Sequence, residues 1–209
     1  MDGRTALIII DMQRGFLNES SPCYIAGARA TVPACAALAE NCRSRGIPVF
    51  FVLREYRADG SNVEHTRYAA WLKGGKPISP GCPEEISGET PAELSPREGD
   101  YVLIKPRYSA FFRTELDSML RRLGIDSIIL SGTTTPNCIR ASCYDGISLE
   151  YNVAVAEDCC SSADEEIQRS NIRDMANVGA QVISSRDFIA GRTKIYDSLS
   201  AARAGLARG

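Results

Sequence analysis

The chain has 209 residues, 44% of them hydrophobic and 24% charged, which is the composition of one folded globular domain and excludes a disordered chain. Its 24 basic and 26 acidic side chains leave a formal charge of -2, without the basic excess of a protein that grips nucleic-acid phosphates. No apolar run reaches the ~18–20 residues that cross a bilayer, and the opening MDGRTALIIID lacks the pattern of a secretory signal, so a cytoplasmic protein with no membrane partner is expected.

Strand and helix patterns alternate along the chain. Ala6-Leu7-Ile8-Ile9-Ile10 is a short apolar run rich in β-branched residues, the mark of a strand buried on both faces. Residues 28–45 place Val32, Cys35, Leu38, Ala39 and Cys42 at helical spacing, and Gly46 stops them. Residues 48–53 read as the second strand and 101–104 as the third. A helix over 113–123 shows Leu116, Met119, Leu120 and Leu123 on one face and ends at Gly124. Residues 127–130 form the fourth strand, 138–150 a helix and 152–156 the fifth strand. Ser162 or Asp164 caps a helix over 164–178, with Glu165 and Glu166 favourable in its first turn. The sixth strand is 180–183. Strands that alternate with helices and lack polar alternation predict an α/β fold: three-layer, doubly wound, with a mostly parallel six-stranded sheet and helices on both faces. Ligands bind such sheets beyond the carboxyl ends of the strands.

Residues 54–99 break this rhythm. They hold Pro77, Pro80, Pro83, Pro91 and Pro96, half of the ten prolines, together with the only tryptophan, Trp71. The segment reads as a lid or interface excursion within a single domain over 1–209. The tail over 192–209 contains a weak helix, 194–207, with Ile195, Leu199, Ala202 and Leu206 on one side. Either segment can build the contact of a homodimer or homotetramer.

Eight cysteines invite a disulfide reading, but they are scattered in a chain that is neither short nor marked as secreted. No CxxC pair exists, because Cys35 and Cys42 are seven apart and Cys138 and Cys143 five. His65 is the single histidine, so no Cys/His metal cage is read and no cofactor is implied.

Three strand ends carry unexpected polar residues. The first strand runs into Asp11, the third into Lys105-Pro106, and the fourth into Gly132-Thr133-Thr134-Thr135-Pro136-Asn137-Cys138, where a helix begins. Each has an ordinary explanation alone: a loop carboxylate, a lysine reaching solvent, a small buried thiol. Together they point into one crevice. A thiol at a helix N-terminus has its pKa lowered by the macrodipole, and the Lys105 ammonium lowers it further. A carboxylate beside both can take the thiol proton and return it to a leaving group. Gly132 lets the backbone turn sharply out of the sheet. Pro136 has no N–H to donate, so Thr134 and Cys138 are the better oxyanion-hole donors.

Asp11-Met12-Gln13, Lys105-Pro106-Arg107-Tyr108-Ser109-Ala110-Phe111 and Gly132-x-x-Thr135-x-x-Cys138 resemble the isochorismatase-like cysteine hydrolases over roughly residues 4–190. The resemblance implies an Asp11, Lys105, Cys138 triad and a non-proline cis peptide at Thr133-Thr134 that aims the Thr134 N–H at the oxyanion. Pro136-Asn137 stand where the family often has Asn-Val. The nicotinamidase branch adds an Asp and histidines that bind a metal after the second strand. Here that stretch reads Arg54-Glu55-Tyr56-Arg57-Ala58-Asp59, so neither that metal site nor nicotinamidase activity is expected, and His65 is read as a loop residue.

The expected activity is cysteine-dependent hydrolysis of the C–N bond of a small carboxamide or ureide, such as an N-carbamoyl or ureido acid, through a thioester. Arg54, at the end of the second strand, can clamp a substrate carboxylate. Phe16, Tyr24, Trp71, Tyr108 and Phe112 are candidates for the pocket wall, with Asn137 beside the nucleophile. Two rival functions differ in class. Vinyl-ether hydrolysis of isochorismate relies on the aspartate, in family members that commonly lack the cysteine. A non-catalytic small-ligand module on the same scaffold predicts an unreactive Cys138. A redox role for Cys138 lacks an obvious resolving partner.

Overall fold

A computed structural model describes residues 4–197, 202 and 204–206. Six strands form one sheet: β1 (Thr5–Ile10), β2 (Val49–Arg54), β3 (Tyr101–Lys105), β4 (Ser127–Thr133), β5 (Asn152–Ser161) and β6 (Gln181–Ile183). Their order is β3-β2-β1-β4-β5-β6, and every neighbouring pair is parallel. The helices are α1 (Arg14–Leu17), α2 (Ala28–Ser44), α3 (Tyr68–Lys73), α4 (Leu116–Arg122), α5 (Arg140–Ser148), α6 (Glu165–Asn177) and α7 (Ser185–Ile189).

The apolar run of β1 is explained by burial on two sides. Leu7 and Ile9 face α2 and α7 and pack with Val32, Leu38 and Phe188. Ala6, Ile8 and Ile10 face α4, α5 and α6 and pack with Leu116, Leu120, Cys143 and Met175. Successive side chains point to opposite faces of a strand, so a strand sandwiched by helices needs an apolar residue at every position. Each fully buried Ile or Leu contributes roughly 1.5–3 kcal/mol.

Four elements differ from the sequence expectation. β3 is an edge strand, and Val102 and Ile104 are half-exposed there, where burial on both faces was expected. β4 and β5 run on past their predicted ends; beyond a bulge after Leu130, Gly132 and Thr133 pair with Cys160 and Ser161. The polar letters of 157–161 hide this extension. Asp158 there accepts from the Ser185 N–H at 2.8 Å and from its hydroxyl at 2.7 Å, which anchors α7, a helix too short for its periodicity to be read. The tail does not begin a helix at 194. The Gln181 side-chain amide accepts from the Tyr196 N–H and donates to the Lys194 carbonyl, both at 2.9 Å, and holds this stretch irregular beside β6. Ala202 and residues 204–206 are helical; Leu199 and the rest of the predicted helix beyond 197 lie outside the described residues.

Residues 55–99 contribute no strand. They fold around a small core of Tyr56, Val63, Trp71 and Ile78, against which Phe16 packs. The indole N–H of Trp71 donates to the Pro77 carbonyl at 3.0 Å, closing the segment on itself. Among the described residues, no helix is long and apolar enough to cross a membrane.

Candidate active site

β1 and β4 are the central pair, and the winding of the sheet reverses between them. Such a reversal opens a crevice beyond the strands' carboxyl ends. Asp11 leaves β1 with φ 53°, a left-handed conformation that aspartate tolerates better than most residues. Its N–H still donates to Val52 at 3.1 Å, while its carbonyl accepts from the Gln13 N–H at 2.8 Å. Gly132 is forced. At φ 111° it passes so near β1 that a Cβ would lie 2.1 Å from the Ile10 carbonyl oxygen. The chain then passes through a cis Thr133–Thr134 peptide into a wide turn over Thr135–Ile139, which carries Cys138 into α5.

Asp11, Lys105 and Cys138 meet in this crevice, almost fully buried. The Lys105 ammonium lies 2.7 Å from an Asp11 carboxylate oxygen and 3.6 Å from the Cys138 sulfur, and it donates to the Arg107 carbonyl at 3.1 Å. Beyond the Lys105 ion pair, neither Asp11 carboxylate oxygen has a hydrogen-bond partner among the described residues.

The thiol is not acidified as the sequence suggested. Burial, first, and the neighbouring Asp11 charge push it up to about 11; Lys105 and Arg54 offset only part of this. Desolvation in a closed crevice outweighs the helix-end effect. Cys138 therefore rests as a thiol beside the Asp11 side chain.

The three threonines are anchored by side chains as well as by backbone. Thr134 and Thr135 hydroxyls both donate to the Ser161 carbonyl at 3.0 Å, and the Ser161 hydroxyl donates to that of Thr133 at 3.0 Å. Ser142, one turn after the nucleophile, donates to the Cys138 carbonyl at 2.6 Å and accepts from the Ala110 N–H at 2.8 Å. It thereby ties α5 to the loop after Lys105.

A cavity of about 310 Å³ opens over Asp11 and Cys138. Phe16, Tyr24, Arg54, Trp71, Tyr108 and Asn137 all line it. Phe112 does not. It is 46% exposed, with the Arg113 guanidinium over its ring. His65 is exposed and lies outside the cavity wall. Arg54 is buried in the wall, with one nitrogen paired to a carboxylate and its Nε without a hydrogen-bond partner among the described residues. Its Nη1 lies 2.5 Å from Glu64 Oε1 and donates to the Pro106 carbonyl at 3.2 Å. Burial opposes the Arg54 charge, but Asp11, Tyr56 and Glu64 prevail and hold its pKa above the usual guanidinium range. Among the described residues, no three His, Cys, Asp or Glu side chains are grouped to hold a metal.

Sequence reasoning missed Gln13, Glu64, Arg67 and Cys23. Gln13 is fully buried; its amide exchanges 2.8 Å hydrogen bonds with the N–H and C=O of Arg54 and also donates to Gly88 at 2.7 Å. Its polarity directly after a buried strand was the available signal. Glu64, Arg67 and Cys23 sit in irregular segments without periodicity; only the folded loops bring Arg67 and Cys23 to the pocket wall and Glu64 against Arg54 and Tyr56.

Against known proteins, the family described as Isochorismatase domain matches residues 5–187. The chain belongs to the isochorismatase family. A probable inactive nicotinamidase of Arabidopsis thaliana is 38% identical over 186 residues, covering 85% of this chain and 90% of that protein. The ureidoacrylate amidohydrolase RutB of Azorhizobium caulinodans is 28% identical over 200 residues, 88% of each. An isochorismatase family protein from Desulfovibrio vulgaris superposes with a TM-score of 0.83 at 40% identity, covering 88% of this chain and 96% of that one. The N-carbamoylsarcosine amidase of Thermoplasma acidophilum gives 0.72 at 28% identity over 87% and 96%. These family structures share the all-parallel α/β architecture described above.

Proposed function

We propose that this isochorismatase-family enzyme is a cysteine-dependent amidohydrolase of small carboxamides or ureides, with Cys138 as nucleophile. The chain is a hydrolase of non-peptide C–N bonds, in keeping with relatives named as amidohydrolases and an amidase. One observation carries the finer reading: a buried thiol, carboxylate and ammonium, with Lys105 at 2.7 Å from Asp11 and 3.6 Å from Cys138, beneath an aromatic pocket.

In this mechanism Asp11 takes the thiol proton as the sulfur attacks the carbonyl carbon. Burial raises the thiol pKa, so Asp11 takes the proton in the course of the reaction and no standing thiolate is stored. Thr134 and Cys138 N–H groups receive the tetrahedral oxyanion; losing one such donor costs roughly 2.7–4 kcal/mol of barrier. The amine leaves with the proton from Asp11. Water, deprotonated by Asp11, then hydrolyses the thioester. Lys105 holds the carboxylate and offsets charge developing on sulfur.

Cys138→Ser is expected to stay folded and lose turnover by roughly 10³-fold or more. Intact mass of the wild-type protein, quenched during turnover of an amide panel, is expected to show an acyl adduct that maps to Cys138. Full turnover by Cys138→Ser removes the thiol from the mechanism. A homo-oligomer belongs to the same proposal, supported by the half-exposed Val102 and Ile104 on edge strand β3; sedimentation velocity reads it directly.

A further inference from the structure

The pocket holds more cations than its carboxylates answer. Lys105 faces Asp11, and Arg54 faces Glu64. Arg67, just before α3, also lines the cavity, and its guanidinium makes no hydrogen bond or ion pair with a described residue. Its charge is seated instead over the Tyr108 ring, 5.3 Å from the centroid. Arg54 lies 5.6 Å from the same ring, so Tyr108 is flanked by one paired and one unpaired guanidinium. Arg67 is an exposed residue, whereas the triad is buried. It therefore stands where the pocket meets water.

An unpaired guanidinium beside a buried reaction centre selects for an anion. A carboxylate accepts two parallel N–H bonds from Arg, a geometry that a neutral amide or ester cannot match. Arg54 already shares its charge with Glu64 through Nη1, so Arg67 is the guanidinium without a carboxylate partner among the described residues.

We infer that Arg67 binds the carboxylate of an amide-bearing substrate and makes the pocket selective for anionic over neutral amides. The inference rests on reading the pocket as an amidohydrolase site, and it adds the substrate's charge and the residue that reads it.

The test is calorimetric binding of succinamate and of its neutral counterpart succinamide to the full-length Cys138→Ser protein, where no chemistry intervenes. Succinamate is expected to bind at least about tenfold more tightly. Adding Arg67→Gln is expected to abolish that preference by weakening succinamate binding, and Arg67→Lys to restore it in part. Equal affinity for the two ligands, no measurable binding of either, or a preference that survives Arg67→Gln overturns the inference. Failure of the nucleophile proposal is read separately. Turnover by Cys138→Ser would remove the thioester and leave the binding preference standing.

Discussion

Lys105 and Asp11 act on the Cys138 proton in opposite directions. The ammonium favours the thiolate, and the carboxylate disfavours it. Two substitutions therefore separate their roles. Asp11→Asn is expected to speed iodoacetamide labelling of Cys138 at neutral pH while abolishing turnover. Lys105→Ala is expected to slow labelling and turnover together. With the thiol pushed up to about 11, wild-type labelling is expected to climb steadily from pH 8 to pH 10 without a plateau, followed by mass spectrometry of the Cys138 peptide. A plateau below pH 8 would mean a preformed thiolate. The identities of the three residues were legible in the sequence, because polar letters interrupt apolar runs at strand ends. The thiol's protonation state was not, because it depends on how completely the crevice closes.

At the scale of elements, Gly132 is the narrowest requirement. Gly132→Ala drives a Cβ against the Ile10 carbonyl and forces a side chain into positive φ. The expected loss is ~2–3 kcal/mol or more, seen as a melting temperature lower by roughly 5–10 °C. Asp164 caps α6 by accepting from the Ile167 N–H at 2.8 Å, so Asp164→Ala is expected to cost ~1 kcal/mol, a few degrees of melting temperature. That cap was legible, since an aspartate preceded two glutamates and a periodic run. The extensions of β4 and β5 were not. Ser161 and Asp158 read as loop residues, and their hydrogen bonds to Thr133 and Ser185 exist only after the sheet has formed.

For the whole molecule, the buried thiols set an alkaline limit. Burial pushes Cys42 and Cys143 up to about 12 and Cys138 up to about 11, from an ordinary value near 9. Cys159, beside the Cys35 thiol, and buried Cys160 are raised as well. Each folded-state value lies above the unfolded one. Above pH 9 the native state therefore binds more protons, and stability falls as pH rises. The urea midpoint is expected to be unchanged from pH 7 to 8 and clearly lower at pH 10.5. A midpoint that held at pH 10.5 would mean the thiols titrate alike in both states.

The sequence alone determined the layered α/β architecture and the three chemical groups, since apolar periodicity and strand-end polarity are local properties that a parallel sheet must display. Only the tertiary structure decided which arginine is paired with a carboxylate. Arg54 and Arg67 look equally available as letters, and Glu64 neutralises one of them only when an irregular loop folds back over β2. Charge pairing across loops is set by packing in three dimensions, and no periodicity in the chain announces it.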